Sequence, residues 1–237
     1  MKSVLITGGS RGLGKELVKR FIQEGYKVFY TYNTTAPDLN LDNCFAIKCD
    51  LRSDDDIREL LLYLKDNGGV ELLINNAAVE YNDAFYNKTR DSFREAYDVN
   101  VIAPFILSRE IGRVMYERKK GKIINISSNN SIDKYDPSTL EYDCSKAALN
   151  ILTKTLAKEF SPFVNVNAVL PGWILTERIK ELDDSLDNMF IKEESSNNLL
   201  NRFATCEDIC NLVLFLASDK SDYINGELIR IDGGNKW

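Results

Sequence analysis

The chain has 237 residues, 44% of them hydrophobic and 28% charged, a composition that is ordinary for one globular α/β domain and requires no second domain. Its formal net charge of −6 excludes broad binding to nucleic acid or to anionic membranes, because both need a basic face. The histidine count of zero excludes imidazole bases, Ser-His and Cys-His nucleophile pairs and most catalytic zinc sites, so proton transfer has to use tyrosine, lysine, a carboxylate or water.

Targeting signals and cysteine usage predict a cytoplasmic protein. The sequence shows no secretory signal and no run of ~18 uninterrupted apolar residues, so we expect no membrane-spanning segment. The five cysteines, an odd number without C-x-x-C spacing, indicate reduced thiols and predict no metal site.

Short apolar runs alternate with helix-like segments along the whole chain. This alternation predicts βαβ units, and therefore one α/β domain over residues 1–237 with a doubly wound, Rossmann-type parallel sheet and helices on both faces. Ligands bind such sheets beyond the carboxyl ends of the strands. The predicted strands are Ser3–Thr7, Lys27–Tyr32, Cys44–Lys48, Glu71–Asn75, Lys122–Ser127, Val164–Leu170 and Glu227–Ile231.

The first predicted strand leads into the glycine-rich stretch TGGSRGLG. Gly8, Gly12 and Gly14 stand between this strand and an amphipathic helix. Glycines at such positions let a phosphate approach the backbone amides and the positive end of the helix. The alternative is that they only permit tight packing of helix against strand, but the strand-turn-helix context favours a dinucleotide site.

The spacing G-x-x-x-G-x-G after a threonine resembles that of the short-chain dehydrogenase/reductase family. The resemblance implies a nicotinamide dinucleotide and an oxidoreductase that acts on hydroxyl or carbonyl groups. In that family an acidic residue at the end of the second strand binds the ribose of NAD, and here VFYTYNTT contains no acid. A carboxylate would repel the additional phosphate of NADP, whereas Arg11 can pair with it. We therefore expect NADP or NADPH, with Arg11, Asn33 and Thr34 around the phosphate; the alternative is that Arg11 only pairs with a surface carboxylate.

The third and fourth strands end in two further family motifs. Asp50, in CDL, resembles the aspartate that contacts the adenine. The stretch INNAAV is similar to the family motif N-N-A-G, with Ala78 in place of the glycine. The exchange adds a methyl group where the backbone passes close to the cofactor.

The helix-like segment from Asp91 to Arg118 is interrupted by Pro104. Proline donates no amide hydrogen and crowds the carbonyl four residues earlier, so Asn100 is expected to present a free carbonyl. The asparagine of the family motif D-V-N holds a water that links the catalytic lysine to solvent, and the resemblance implies this role for Asn100. The alternative is a kink without a water chain.

The stretch EYDCSKAALN places Tyr142 and Lys146 one turn apart on the same face of a predicted helix. A phenol with a pKa near ~10 is a poor catalyst at neutral pH, but a neighbouring ammonium and an oxidised nicotinamide ring lower that pKa. Because the chain has no histidine, Tyr142 is the best proton donor to a carbonyl. The alternative is that Y-x-x-x-K arose by chance on a solvated helix face.

Ser128 precedes Tyr142 by fourteen residues and follows the strand in KIINISS, a separation that resembles the family pattern. The resemblance implies that Ser128 holds the substrate oxygen, that Tyr142 exchanges the proton, and that Lys146 lowers the phenol pKa and binds the nicotinamide ribose. The adjacent Ser127 should point to the other face of the strand, so we prefer Ser128.

After the sixth strand, LPGWILTE resembles the family loop P-G-x-x-x-T, which contacts the nicotinamide carboxamide. Apolar residues at helical spacing within residues 178–201 then predict a lid helix over the cleft, with its acidic side in water. The resemblance implies a cofactor-binding set formed by Gly8, Ser10, Arg11, Gly12, Leu13, Gly14, Asn33, Thr34, Asp50, Leu51, Asn76, Ala77, Ala78, Tyr142, Lys146, Pro171, Gly172, Ile174 and Thr176.

These matches together imply an NADPH-dependent carbonyl reductase that forms a dimer or tetramer. Similarity is greatest to the 3-oxoacyl-acyl-carrier-protein reductases of fatty acid biosynthesis, through TGGSRGLG, FLASD and INGE. Their acidic partner needs basic docking residues, for which residues 118–120 (RKK) can serve, although the loop FSPFVNV has none and the lid is acidic. A sugar, polyol or small-alcohol dehydrogenase is therefore the alternative, and a non-catalytic NADP-binding sensor or scaffold is an alternative of a different class.

Overall fold

A single parallel sheet organises the computed structural model, which describes residues 2–35, 39, 41–132, 136–186 and 189–234. The order of the strands across the sheet is β3-β2-β1-β4-β5-β6-β7, and each neighbouring pair is parallel. The predicted α/β class and doubly wound sheet are confirmed, with strand ends that differ from the predicted ones by no more than one residue. The strands are β1 (Ser3–Ile6), β2 (Lys27–Tyr32), β3 (Cys44–Lys48), β4 (Leu72–Asn75), β5 (Gly121–Ile126), β6 (Val164–Pro171) and β7 (Leu228–Ile231).

The chain order of the strands reverses between β1 and β4. The chain runs outward from β1 to β3 and then returns to place β4 on the other side of β1. Leu5 of β1 pairs with both Phe29 and Leu73, and all three are fully buried. Burial on both faces explains why these strands appear in the sequence as uninterrupted apolar runs. The reversal leaves a crevice at the carboxyl ends of β1 and β4, where sheets of this type bind their ligands.

Helices cover both faces of the sheet. On one face α1 and α8 bury Phe21 and Val213, and on the other α2, α4 and α5 bury Leu60, Leu107 and Leu156. No helix built from described residues is both long enough and apolar enough to cross a membrane. The same ranges contain no group of three or more cysteine and carboxylate side chains arranged to hold a metal. The helices are α1 (Gly12–Gln23), α2 (Asp54–Asp66), α3 (Arg90–Tyr97), α4 (Ala103–Glu117), α5 (Leu140–Glu159), α6 (Glu177–Ser185), α7 (Phe190–Ser195) and α8 (Cys206–Ala217).

The helix predicted from Asp91 to Arg118 is divided into two. Helix α3 ends at Tyr97, a π-helical turn spans Asp98–Ile102, and α4 begins at Ala103 with Pro104 in its first turn. The missing amide hydrogen of Pro104 removes one bond of a regular helix, and the wider turn is the local result. The turn contains the fully buried Asn100.

The segment predicted as a lid, residues 178–201, holds parts of two helices, α6 and α7, where one was expected. Residues 187 and 188 lie outside the described part. Asp183 is buried and its carboxylate accepts a hydrogen bond from the backbone amide of Ile191 at 2.8 Å, whereas Leu182, Leu186 and Met189 are exposed. The predicted orientation, with acidic residues in water and apolar residues inward, is therefore wrong at these positions. The hydrogen bond from the Ile191 amide satisfies the buried Asp183 carboxylate. Helical spacing of apolar residues cannot predict such a partner.

Candidate active site

The glycine turn joins β1 to α1 at the carboxyl edge of the sheet. Gly8 and Gly12 have φ angles of +68° and +53°, which glycine adopts without steric cost. The backbone amide of Gly8 donates to the Thr31 hydroxyl at 3.1 Å, so the turn is fixed to β2. The Arg11 side chain makes no capping hydrogen bond to α1. The first-turn amides of this helix therefore keep the donors that an anion needs.

Because Gly8, Gly12 and Gly14 have no side chains, this turn, the end of β4 and the loop after β6 approach one another closely. We call this region the glycine cradle. A Cβ on Gly14 would lie 2.1 Å from the carbonyl oxygen of Gly8, and a Cβ on Gly8 would lie 3.0 Å from the Cα of Ala77. A Cβ on Gly12 would lie 3.6 Å from the Thr176 methyl group. Glycine at these positions therefore lets three segments of the predicted cofactor set pack closely together, beside the first-turn amides of α1 that fit a phosphate.

Thr7 and Asn76 lock the carboxyl ends of β1 and β4 together. The Thr7 hydroxyl oxygen accepts hydrogen bonds from the amides of Asn76 and Ala77, each at 3.0 Å. The Asn76 side chain donates to the carbonyl oxygens of Thr7 at 2.9 Å and Gly8 at 3.2 Å. Sequence reasoning missed this role of Thr7, whose position directly before the glycines was the available signal.

The predicted adenine end is exposed at the same edge of the sheet. The Asp50 carboxylate accepts hydrogen bonds from the Arg52 guanidinium, with Nε at 2.9 Å and Nη2 at 2.6 Å. This pairing lowers the pKa of Asp50, and the Asn33 side chain makes a smaller contribution in the same direction. Sequence reasoning missed Arg52. The exposed residues of the predicted set here are Arg11, Asn33, Thr34 and Ala78, whereas Leu13 and Leu51 bury their side chains in the core.

The structure brings Ser128, Tyr142 and Lys146 together where β5 ends and α5 begins. The Ser128 side chain lies close enough to Tyr142 to lower the pKa of the phenol. The Lys146 ammonium nitrogen lies 5.5 Å from the centre of the Tyr142 ring. Ser127 turns away and donates to the Lys146 carbonyl oxygen at 3.2 Å. Of the two neighbouring serines, Ser128 is therefore the one whose side chain acts on the pKa of Tyr142.

The electrostatics of Tyr142 differ from the sequence expectation. Burial, with a smaller contribution from the charge of Glu80, raises the pKa of Tyr142, and the Ser128 side chain opposes this rise. Burial also lowers the pKa of Lys146 to about 8. Its ammonium donates to the Ile126 carbonyl oxygen at 2.7 Å. The expected lowering of the phenol pKa by Lys146 is thus outweighed by burial in the protein alone.

The Asn100 side chain fixes the loop that follows β4. Its oxygen accepts from the Val79 amide at 2.8 Å, and its nitrogen donates to the Val79 carbonyl oxygen and to the Ser145 hydroxyl, each at 2.9 Å. It therefore holds this loop against α5, the helix that carries Tyr142. Sequence reasoning assigned Asn100 a carbonyl role and missed this clamp; the free carbonyl stays a prediction.

Glu80, which follows Val79, was not predicted and acts electrostatically on the Tyr142–Lys146 pair. Burial raises the pKa of the Glu80 carboxyl, while the charge of Arg178 on α6 opposes the rise. The charge of Glu80 in turn raises the pKa of both Tyr142 and Lys146. The loop after β4 has no periodic pattern, so no sequence signal pointed to this residue.

The loop after β6 carries the remaining predicted cofactor residues. Pro171 ends β6, and the Gly172 amide donates to the Ile231 carbonyl oxygen at 3.2 Å. Ile174 forms a short bridge with Ala204, and Thr176 directly precedes α6. The loop therefore leads from the sheet to the glycine turn.

Trp173, between Gly172 and Ile174, attaches α7 to this loop. Its ring centre lies 5.3 Å from that of Phe190 and 5.8 Å from that of Phe203. Its indole nitrogen donates to the Glu194 carboxylate at 3.0 Å. Sequence reasoning missed this aromatic cluster, because its members are far apart in the chain.

The sheet reversal, the glycine cradle and the Ser-Tyr-Lys group define a dinucleotide-binding oxidoreductase of the doubly wound α/β class. The family model described as "Enoyl-(Acyl carrier protein) reductase" matches residues 8–236. The chain belongs to the short-chain dehydrogenase/reductase family, whose oxidoreductases act on hydroxyl and carbonyl groups.

Named relatives differ in their substrates. A 3alpha-hydroxysteroid dehydrogenase of Mediterraneibacter gnavus is 34% identical over 98% of this chain and 96% of the relative. The 3-oxoacyl-[acyl-carrier-protein] reductase FabG of Staphylococcus epidermidis is 30% identical over 98% of each chain. Among solved structures, ElxO with NADP bound has a TM-score of 0.89 at 26% identity, covering 98% of this chain and 97% of that one. A 4-hydroxyisoleucine dehydrogenase complexed with NADH has a TM-score of 0.83 at 30% identity, covering 99% and 98%.

The cradle predicts the effect of adding one methyl group at Gly14. The Gly14→Ala variant should unfold with a free energy lower by about 1–3 kcal/mol, because the new Cβ meets the carbonyl oxygen of Gly8 and the turn has to shift. It should also bind a nicotinamide dinucleotide more weakly. Thermal unfolding and fluorescence titration with NADPH measure the two effects. Unchanged stability and affinity would show that the turn has room that the structure lacks.

Proposed function

We propose that the protein is an NADP(H)-dependent carbonyl reductase, which converts a ketone to a hydroxy product. The observation that carries the proposal is the placement of the Lys146 ammonium 5.5 Å from the Tyr142 ring centre, with Ser128 beside them and at the same sheet edge as the glycine cradle. When bound, NADPH supplies the hydride. The protein's own side chains bind the carbonyl oxygen and deliver the proton.

Tyr142 is the proton donor in this proposal. Its raised pKa keeps the phenol protonated at neutral pH, which is the state needed when negative charge develops on the carbonyl oxygen. Ser128 orients that oxygen through its hydroxyl. The positive charge of Lys146 stabilises the phenolate that remains after proton transfer. The Asn100 carbonyl, through a bound water, reconnects Lys146 to solvent.

The cofactor is NADP(H), because the end of β2 offers no carboxylate that would repel a 2′-phosphate. Arg11, Asn33 and Thr34 are exposed beside the cradle and supply one positive charge and two polar side chains. The structure of ElxO with NADP gives a precedent among the structural neighbours, although another neighbour is described with NADH. The choice between the two cofactors therefore depends on the charges of this chain at β2.

The Tyr142→Phe variant tests the chemistry. We expect the turnover of carbonyl reduction to fall by about 100-fold or more, because the proton donor is removed, while NADPH affinity stays close to wild type. Steady-state kinetics and NADPH titration measure the two quantities. Tyr116→Phe, at an exposed position on α4, is the matched control and should keep full turnover. Undiminished turnover in Tyr142→Phe would refute the proposed mechanism.

Cofactor choice provides a second test. The wild-type protein should bind NADPH more tightly than NADH, and Arg11→Ala should reduce this preference by about tenfold, the usual effect of losing a charged hydrogen bond. Arg58→Ala, which changes an exposed arginine paired with Asp55 on α2, is the control. Equal affinities for the two cofactors in the wild-type protein would contradict the assignment.

The geometry weakens the case for an acyl-carrier-protein thioester as substrate. The basic run at residues 118–120 directly precedes β5, whereas Ser128 and Tyr142 follow it. The six residues of β5 separate the two ends by about 20 Å. Arg118 donates to the Gly68 carbonyl oxygen at 3.2 Å and so belongs to the opposite edge of the sheet. A carrier protein docked there would lie far from Tyr142 of the same subunit.

The carboxyl groups near Tyr142 favour a second candidate for the substrate, a small polar carbonyl compound. Examples are a sugar, a ketone derived from a polyol and the oxidised form of another small alcohol. Glu80 influences Tyr142 electrostatically, and the Asp143 side chain, held by Asn130 at 3.0 Å, follows Tyr142 directly. Burial raises the pKa of both carboxyl groups. Hydroxyl or ammonium donors on a substrate match such acceptors, whereas an acyl chain does not.

The Glu80→Gln variant tests this candidate and its pH dependence. Reduction by the wild-type protein should decline as the pH rises through about 8, where Lys146 loses its proton. The Glu80 charge raises the pKa of Lys146 and of Tyr142, so its removal should move this decline to lower pH. In Glu80→Gln, the rate of reduction should fall more for ketones that carry hydroxyl or amino groups than for ketones without them. The pH profiles of the two proteins measure the shift of the decline. Turnover on an acyl-carrier-protein thioester, its truncated analogue and a ketone panel measures the substrate preference, and a preference for the thioester would reject the polar candidate.

NADPH binding without reduction of any carbonyl tested would instead support a cofactor sensor or scaffold.

Assembly into a dimer or tetramer remains part of the proposal. Ile151 on α5 is 66% exposed, and Phe105 and Ile102 add apolar surface at α4 and the turn before it. Such exposed apolar side chains are consistent with a face covered by a second copy.

A further inference from the structure

A buried ion pair lies next to Tyr142 in the chain and has no part in the proposed chemistry. The Lys88 ammonium and the Glu141 carboxylate are 2.8 Å apart, and their side chains are 5% and 0% exposed. Removing two charges from water usually costs more than their mutual attraction returns. Stability alone therefore does not explain this pair.

The contacts of Lys88 join two segments that flank Tyr142. Its ammonium donates to the carbonyl oxygens of Tyr81 at 3.0 Å and Ser138 at 2.5 Å, in addition to its contact with Glu141. Two hydrogen bonds and one ion pair thus surround the Lys88 ammonium with three oxygen partners. The Asp83 amide adds a bond to Ser138 at 3.1 Å. The loop after β4 is thereby attached to the chain that leads into α5.

Glu141 depends on this single partner. Within the described ranges, Lys88 forms its one ion pair, and no hydrogen bond of regular geometry reaches either carboxylate oxygen. Glu141 and Tyr142 are neighbours in the first turn of α5. A shift of Lys88 therefore acts directly on the turn that carries the Tyr142 hydroxyl.

The loop after β4, residues 79–88, is thus held at both ends. Asn100 clamps it at Val79, and Lys88 closes it onto the start of α5. Glu80, which acts on Tyr142, lies between these two attachments. Both attachments lead to α5, the helix that carries Tyr142, one through Ser145 and the other through Glu141.

We propose that Lys88 and Glu141 form a positioning pair that sets the placement of Tyr142 relative to the loop at residues 79–88. The proposal rests on the proposed function, in which Tyr142 delivers the proton. The pair touches neither substrate nor cofactor and acts through the backbone of α5 and of the loop.

Two variants separate positioning from stability. Lys88→Met leaves Glu141 buried without its partner, whereas the double variant Lys88→Met/Glu141→Leu replaces both charges by apolar side chains and should recover the thermal stability of the wild type. Arg94→Met, which breaks the exposed Arg94–Asp91 pair on α3, is the control. Each protein is compared with wild type by thermal unfolding, NADPH affinity, kcat and KM for a ketone, and amide hydrogen exchange.

We expect kcat to fall by about tenfold or more in both Lys88 variants, with NADPH affinity unchanged, because misplacement of a reacting group affects turnover. Hydrogen exchange should be faster at residues 79–88 and in the first turn of α5. A double variant with wild-type stability, kcat and exchange would show that the pair is only structural and would overturn the proposal. Hydrogen exchange can be measured on a protein without activity. A wild-type protein that reduces no ketone would therefore refute the proposed function alone. Unchanged exchange in the double variant would still reject the positioning role.

Discussion

The grouping of Ser128 and Lys146 around Tyr142 is the constraint on which the proposed chemistry depends. A chain without histidine has no group that titrates near neutral pH by default, so its proton chemistry relies on groups whose pKa the fold adjusts. Burial adjusts both members of the Tyr142–Lys146 pair, and it favours the uncharged form of each. The result is a phenol that keeps its proton and an ammonium that loses its proton near pH 8.

The topology of the sheet explains why this pair lies beside the cofactor cradle. Because all strands are parallel, every carboxyl end reaches the same edge, and the reversal between β1 and β4 opens a crevice there. Gly12 reaches this edge from β1, Ala77 from β4, Ser128 from β5 and Thr176 from β6. These four residues are far apart in the sequence, but each lies in the segment that follows a strand and so reaches the same edge of the sheet.

The sequence predicted the sheet well because buried parallel strands are apolar throughout and need no partner to be recognised. Motif spacing also brought Ser128, Tyr142 and Lys146 to one place. Features that depend on which polar groups meet in space were missed. The inward side chain of Asp183 depends on an amide of the following helix, and the pairing of Lys88 depends on a segment more than fifty residues away in the chain. No periodic pattern records such contacts, since loop conformation fixes them.

The charges around Tyr142 carry an implication for the direction of the reaction. In the protein alone, burial and the Glu80 carboxylate both raise the pKa of the phenol, and the opposing effect of Ser128 is smaller. A proton-bearing phenol is prepared to reduce a carbonyl, whereas oxidation of an alcohol needs a phenolate. Oxidation therefore requires positive charge beyond that of the protein, which an oxidised nicotinamide ring supplies when bound. In the proposed mechanism the same site can work in both directions, and the raised pKa of Tyr142 favours the protonated phenol that reduction needs.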